Sequence, residues 1–465
     1  MSIHTIAFWV CALFLIGVFF ASAVNQLPII IPLILIVSLY FIVFKKYYFA
    51  LLAFFIIAGA VYYQVFDAIR REANVPFGGR TEFRALIKKA SQSSANQEII
   101  AELISPYSGK IRINAARYPS FEYGDLVEVI GAIQKPPEKS ADYFLKEGIA
   151  GIINLPKIEL LESGQGNYIK SRLLKFKTGI IGIFKRNLPP EKAAFLSGIT
   201  LGERQEFSKE FEEKMSLSGT THIVALSGYN ISVIVLAAGT LFSFFFSRLI
   251  SFYLSVGFII LFVLMTGVEA SIIRAAIMGV IVLLAEETER IYSIRNAIII
   301  SAFLMVLFNP RVLAFDLGFQ LSFAALLGIV YILPALKNIL KIKNKGFLSW
   351  KENALTTVSA QLAVAPLLLG NFGIFSLTSF LANILILSAV PLTMGLGFLM
   401  GGLGFISEFL AQAVGLAVNL LLTYELWLID LFSRITLPII TDSFGFLAAI
   451  IYYLILTCFI YKFNK

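Results

Sequence analysis

The residues able to do chemistry in this chain sit inside long apolar runs. In the stretch 219–236, GTTHIVALSGYNISVIVL, His222 is followed by Ser227, Gly228 and Asn230, a polar break in a membrane-compatible run. Backbone groups freed at membrane depth must be satisfied by protein or by a water-filled cavity. Ser227 and Asn230 lie three residues apart and share a face of a helix. Two readings stand: a break lining a pathway, or the close helix packing that Ser and Gly permit. The segment TGVEASIIRAAIMG adds Glu269, Ser271 and Arg274. Ionisable groups within a span face an interior pathway or a partner. Arg274 carries the fork that fits phosphate; the alternatives are a salt bridge between helices or a head group snorkelling to the interface. In NPRVLAFDLGFQLSFAALLGI, Asp316 precedes Phe319, Gln320, Ser322 and Phe323. The two phenylalanines form an aromatic ladder for a passing base or pack against leucines, and Gln320 and Ser322 contact cargo or hydrogen-bond between helices.

Metal and cofactor chemistry has no footing here. The chain has two cysteines, Cys11 and Cys458, both in apolar runs, and two histidines, His4 and His222. Neither a disulfide framework nor a zinc site follows from them. A phosphate loop of the form G-x-x-x-x-G-K-[ST] is missing from the sequence. The expectation is a protein that is not an enzyme, with no catalytic residue, no metal and no cofactor. A motor that pulled cargo would be a separate ATPase or helicase.

The elements that position these residues follow from composition. A chain that is 58% hydrophobic and 14% charged is not an ordinary soluble protein. Its net charge of +9 fits cytoplasmic lysine clusters and anionic partners without separating lipid from nucleic acid. Apolar runs at 6–24, 27–44 and 47–66 read as three spans, the first retained rather than cleaved as a signal peptide. Further spans are expected near 222–246, 249–267, 270–286, 291–308, 317–334, 353–370, 374–407, 409–431 and 443–461, the 374–407 block being broken near Pro391. The total is about twelve. Lys45 and Lys46, Arg290 and Arg295, the Lys337–Lys351 lysines and Lys462 and Lys465 place both termini in the cytoplasm.

Residues 72–166 change character. Short alternating runs at 98–105, 110–115, 125–131 and 148–161 read as strands, punctuated by Pro106, Gly109, Pro119, Gly124 and Pro136-Pro137. Strands at this spacing suggest a small barrel or sandwich. Lys110, Arg112 and Arg117 alternate there with Tyr107, Tyr118, Phe121 and Tyr123. Basic groups track phosphates while aromatic faces stack bases, which suits single strands of any sequence; the competing use of the aromatics is a core. Residues 167–188 hold six basic side chains and no acid, with Leu173, Phe176, Ile180 and Phe184 at helical spacing. An amphipathic helix at the bilayer surface, or a basic lip at a pore mouth, is expected.

The stretch THIVALSGYNISVIV resembles the HLLAISGLH signature of the ComEC competence proteins, with Asn230 where that signature has its second histidine. Leu201-Gly202-Glu203-Arg204 resembles the family's LLGDR turn. Gly267, Ser271, Arg274 and Ala275 match its G-x-x-x-S-x-x-R-A pattern, and Pro310 to Ala325 resemble its P-x-x-L-x-x-x-x-G-F-Q-L-S-F-x-A block. A weaker echo runs through Gln361, Pro366, Phe372, Gly373, Asn383 and Pro391, and YFLKEGIAGIINL resembles the end of the family's OB-like domain. The resemblance implies a polytopic α-helical membrane protein with an inserted small β-barrel (OB-like) outer domain and an amphipathic helix. Its parts are expected to be N-terminal transmembrane helices (1–71), the outer domain (72–166), juxtamembrane helices (167–218) and a transmembrane channel domain (219–465). It also implies a short form without the metallo-β-lactamase-like domain that many family members carry, since no H-x-H-x-D-H cluster is present. The implied function is an inner-membrane channel that moves single-stranded DNA into the cytoplasm. Implied partners are that DNA, the bilayer, a DNA receptor, a separate nuclease and the cytoplasmic ATPase or helicase. A secondary transporter of a small anion, using Glu269 and Arg274, and a non-catalytic assembly platform are the rival readings.

Overall fold

The computed structural model describes residues 3–24, 47–70, 74–92, 96–137, 141–204, 206–224, 226, 228–288, 293–341, 350–376, 378–435, 438–440 and 445–463. The span expected at 27–44, together with Lys45, Lys46, Ser227, Arg290, Lys343, Lys345 and Lys465, lies outside the described residues. The chain forms two compact units. One takes residues 1–175, 239–264 and 273–317, and the other 176–238, 265–272 and 318–465.

In the first unit, helices Ile3–Val24 and Tyr47–Arg70 meet through glycine. A Cβ on Gly17 would lie 2.0 Å from the Ile56 carbonyl oxygen, and one on Gly59 2.2 Å from that of Phe14. Only backbones without side chains between them approach so closely. Helix Ile294–Phe308 joins the pair: Phe303 meets Phe14 edge-on at 5.2 Å, and the Tyr62 hydroxyl donates to the Leu307 carbonyl at 2.5 Å.

The strands of this unit are β1 (Arg80–Gln92), β2 (Asn96–Leu103), β3 (Lys110–Ala116), β4 (Leu126–Ala132), β5 (Ile149–Asn154) and β6 (Lys157–Glu162). They form one sheet in the order β5-β3-β2-β1-β4-β6, antiparallel except for the β3–β5 pair. Burial alternates along β2 and β3, which places Ile99, Ala101, Ile111 and Ile113 in the core with Ile87, Val127, Val129 and Ile153. These ladders leave the sheet open. Two residues beyond β4, Gln134 exchanges a pair of hydrogen bonds with Ile152 of β5, at 2.8 and 2.9 Å.

The strand expected at 148–161 is two strands, parted where Leu155 takes a positive φ of 47° ahead of Pro156. The sequence reading had no counterpart for β1. A register shift between Ile87 and Lys89 places an extra residue, Lys88, in its ladder, and this breaks the alternation that marks a strand.

The second unit is helical. Helix Pro190–Leu201 is buried from Ala193 onward. Helix Tyr168–Asn187 enters this unit at Phe176. From there it packs on protein, Ile180 and Ile183 resting on Gly401 and Gly404, and Phe176 stacking on Phe405 at 5.4 Å. Its apolar stripe is thus covered by a neighbouring helix over this half, where a surface location had been expected. The 374–407 block comprises a short strand, Ile374–Ser376, and one continuous helix, Ser379–Gly404, that runs through Pro391.

Six helices among the described residues are long and apolar enough to cross a membrane: Thr5–Ser22, Arg248–Thr266, Leu317–Ile339, Ala354–Phe372, Ser379–Gly404 and Glu408–Arg434. Four shorter apolar helices accompany them: Phe54–Ile69, Asn230–Phe245, Ile294–Phe308 and Leu447–Phe463. The protein is a helical membrane protein with a small mixed sheet.

Candidate functional site

Three interruptions in helix come together in the second unit. The first ends helix Pro190–Leu201 at Gly202, whose φ of 70° is the left-handed value that glycine adopts without strain. The next two residues are held from different directions. Glu203 pairs with Lys177 at 3.0 Å, and Arg204 with Glu269 at 3.3 Å. The second interruption lies between helix Thr221–Val224 and helix Gly228–Phe245. There Leu226 is fully buried, and a Cβ on Gly202 would come within 2.8 Å of it. The third is the turn before helix Ala270–Glu287, where Gly267 and Val268 both have positive φ. A β-branched residue at φ 63° is strained.

Hydrogen bonds join these interruptions. Ser271 Oγ donates to the Leu226 carbonyl at 3.0 Å. Asn230 is 0% exposed, and its Nδ2 donates to the carbonyls of Ile199 and Ile223, each at 3.3 Å. The carbonyls freed by the broken helices are therefore satisfied from within the protein, as membrane depth requires. Asn230 and Ser271 hold the broken backbone, and the partly exposed Arg204–Glu269 pair carries the charge.

The other residues singled out from sequence fall elsewhere. His222 is exposed and Gly228 half-buried; Ser227 is not among the described residues. Phe319 and Phe323 do pair, with centroids 4.4 Å apart, but both are buried; Gln320 and Ser322 are half-buried. Arg274 and Asp316 belong to the first unit, and both are buried there. Lys146 Nζ lies 3.0 Å from the Asp316 carboxylate. The sequence reading missed Glu425. It is 0% exposed between helices Ser379–Gly404 and Glu408–Arg434, accepting from Thr393 Oγ1 at 2.7 Å. The signal was available, as an acid inside the apolar run LLLTYELWLI.

The sheet of the first unit carries a second candidate surface. Tyr118 is 71% exposed, with the Arg117 guanidinium 5.5 Å from its ring centroid. Lys110 is exposed at the start of β3. Arg112 is engaged by Glu98 at 2.9 Å and Asn114 at 3.2 Å. Phe121 is 6% exposed in the sheet core, so it offers no free face to a base, and the half-buried Tyr107 packs against that core.

The charge at this surface is richer than 107–121 alone suggested. Lys170 lies 4.5 Å from the Tyr123 ring centroid. Its pKa is pulled down, first by burial and then by the like charges of Lys88, Lys110 and Lys89. Lys88 and Lys89 of β1 and Lys110 of β3 thus act on Lys170, at the start of helix Tyr168–Asn187, beside the Tyr123 ring. Lys88 has Glu102 at 2.8 Å. Such a cluster favours a bound anion, which relieves the mutual repulsion.

Residues 199–465 match the family described as Competence protein, which covers all three helix interruptions. A curated relative, "ComE operon protein 3" of Bacillus subtilis (strain 168), is 25% identical over 274 residues, 57% of this chain. The match spans 34% of that relative, about a third of its length. No solved structure matches. With more than half of its length matched, the chain belongs to the competence protein family.

Proposed function

We propose that this protein is a membrane channel through which single-stranded DNA enters the cytoplasm during transformation. The observation that carries the reading is the competence family match over 199–465, which supports a role in DNA uptake. The lysine and tyrosine surface on the sheet supports a single-stranded cargo, because cationic groups track phosphates and exposed rings stack any base. The sheet domain is read as OB-like and outside the membrane. Its strand order and the Gln134–Ile152 hydrogen bonds support a nearly closed arrangement of β1 to β5. About twelve spans, an inner-membrane location and cytoplasmic termini belong to the same proposal. So do a non-catalytic role and a separate DNA receptor, nuclease and ATPase or helicase.

The test is uptake of labelled DNA in a transformable host whose own competence channel is deleted and replaced by this chain. Nuclease-protected DNA inside the cell, normalised to folded protein in the membrane, is expected. It should fall in Gly228→Leu and Arg274→Gln. Protected DNA at background level with the unaltered chain, or unaltered uptake per molecule in both variants, overturns the proposal. Uptake of a small anion such as phosphate in place of DNA would point to a secondary transporter.

A further inference from the structure

The residues that join the sheet domain to the helices of the first unit form a network that the function above leaves unused. The domain ends its helix Ala141–Glu147 against the turn that precedes helix Leu317–Ile339. Arg311, 3% exposed, donates from Nη1 to the Leu145 carbonyl at 2.7 Å and from Nη2 to Asp67 at 2.5 Å. Asn309 Nδ2 donates to the Lys146 carbonyl at 3.1 Å. One guanidinium therefore caps the last turn of the domain's helix and also binds an acid near the end of helix Tyr47–Arg70. Lys146 reaches the other way, to Asp316 and Glu147, each at 3.0 Å. Burial alone would lower the Lys146 pKa, but Asp316 and then Glu147 outweigh it and the pKa is raised.

We infer that Arg311 and Lys146 are positioning residues, which clamp the sheet domain in one orientation on its membrane helices and link it, through Asp316, to the start of helix Leu317–Ile339. Three features carry this. The bonds are directional and bind three segments distant in sequence: 67, 145–146 and 309–316. Arg311 and Asp316 are buried and Asp67 and Lys146 half-buried, so these pairs weigh more than a surface pair, which would contribute little. Asp316 directly precedes the helix bearing Phe319, Gln320, Ser322 and Phe323, so a change of domain orientation has a covalent route to those residues. The uptake consequence rests on the proposed function; the clamp itself does not.

The experiment uses the full chain in lipid nanodiscs, with Cys11 and Cys458 replaced by serine and spin labels at Ser120 and Thr288, both exposed in the first unit. The unaltered protein should give one narrow distance distribution. Arg311→Met and Lys146→Met should broaden it while leaving binding of oligo-dT at the sheet surface unchanged. Uptake per folded molecule should drop by roughly 2- to 30-fold, the range for lost coupling between sites. Lys146→Glu alone should broaden the distribution, and Lys146→Glu with Asp316→Lys should narrow it again, a rescue that general destabilisation would not give. Arg311→Lys serves if Arg311→Met fails to fold, and should broaden the distribution because an ammonium cannot make both bonds in the same geometry. Unchanged distance distributions in the single variants, or no rescue in the double, overturn the inference. If uptake falls only in step with oligo-dT binding, the link to Asp316 is overturned. The distance measurement decides the clamp even if this chain moves no DNA.

Discussion

Replacing Lys89, Lys110 and Lys170 together with glutamine tests the nucleic-acid surface quantitatively. Of the four clustered lysines, Lys88 is already paired with Glu102. Among the described residues no acid pairs with the other three, so each is counted as one phosphate contact. Each contact on a single strand contributes about 0.7 to the slope of log affinity against log salt, so three give about 2.1. Between 50 and 200 mM salt, that share of the slope corresponds to a loss of about 20-fold in affinity. The assay is fluorescence anisotropy of labelled oligo-dT with full-length protein in nanodiscs of neutral lipid, which avoids competition from anionic head groups. The unaltered protein should show the full slope, and the triple variant should lose about 2 units of it. Lys157→Gln serves as a control, since Lys157 is engaged by Glu159 at 2.7 Å. A slope unchanged in the triple variant would refute the assignment and move the phosphate contacts elsewhere in the protein.

Binding of oligo-dT should also weaken as pH rises on the alkaline side of neutrality. Lys170 has a lowered pKa in the free protein, a nearby phosphate raises it again, and binding therefore takes up a proton; equal binding heats in buffers of different ionisation enthalpy would count against this. Phe121→Ala should destabilise the protein by about 3–5 kcal/mol by leaving a cavity in the sheet core. Tyr118→Ala should leave melting unchanged yet weaken oligo-dT binding by about 1–3 kcal/mol, the worth of one stacked base; the opposite pattern would reverse their roles. Asn230→Ala should lower thermal stability by about 1–3 kcal/mol, because the Ile199 and Ile223 carbonyls lose a buried donor. Unaltered melting in that variant would mean that these carbonyls find another donor.

Residues 98–131 and 219–230 show where sequence suffices and where it does not. Alternation in EIIAELIS and KIRINA announced β2 and β3, because burial on one face of a strand is written every second residue. In β1 the extra residue Lys88 disrupts that period, and the pairing with β2 and β4 that makes it a strand comes from residues far along the chain. The polar interruption near Ser227 was legible because Gly, Ser and Asn in an apolar run conflict with a continuous buried helix. Leu226, described between helix Thr221–Val224 and helix Gly228–Phe245, lies outside both, so Gly228 and Asn230 sit in helix beyond the break.

The membrane character and the interrupted signature helix are properties the sequence determined by itself, since apolar run length and local backbone preference act within a segment. Tertiary structure alone decided which groups meet: Asn230 with the Ile199 carbonyl, Lys146 with Asp316, and Lys170 with the Tyr123 ring. It also separated Phe121 from Tyr118, sending one to the core and leaving the other exposed. The physical reason is that hydrophobic burial repeats with the period of the element that carries it. A charge or a hydrogen-bond donor is directed by its partner, and here the partners lie as much as 245 residues away, as Tyr62 and the Leu307 carbonyl do.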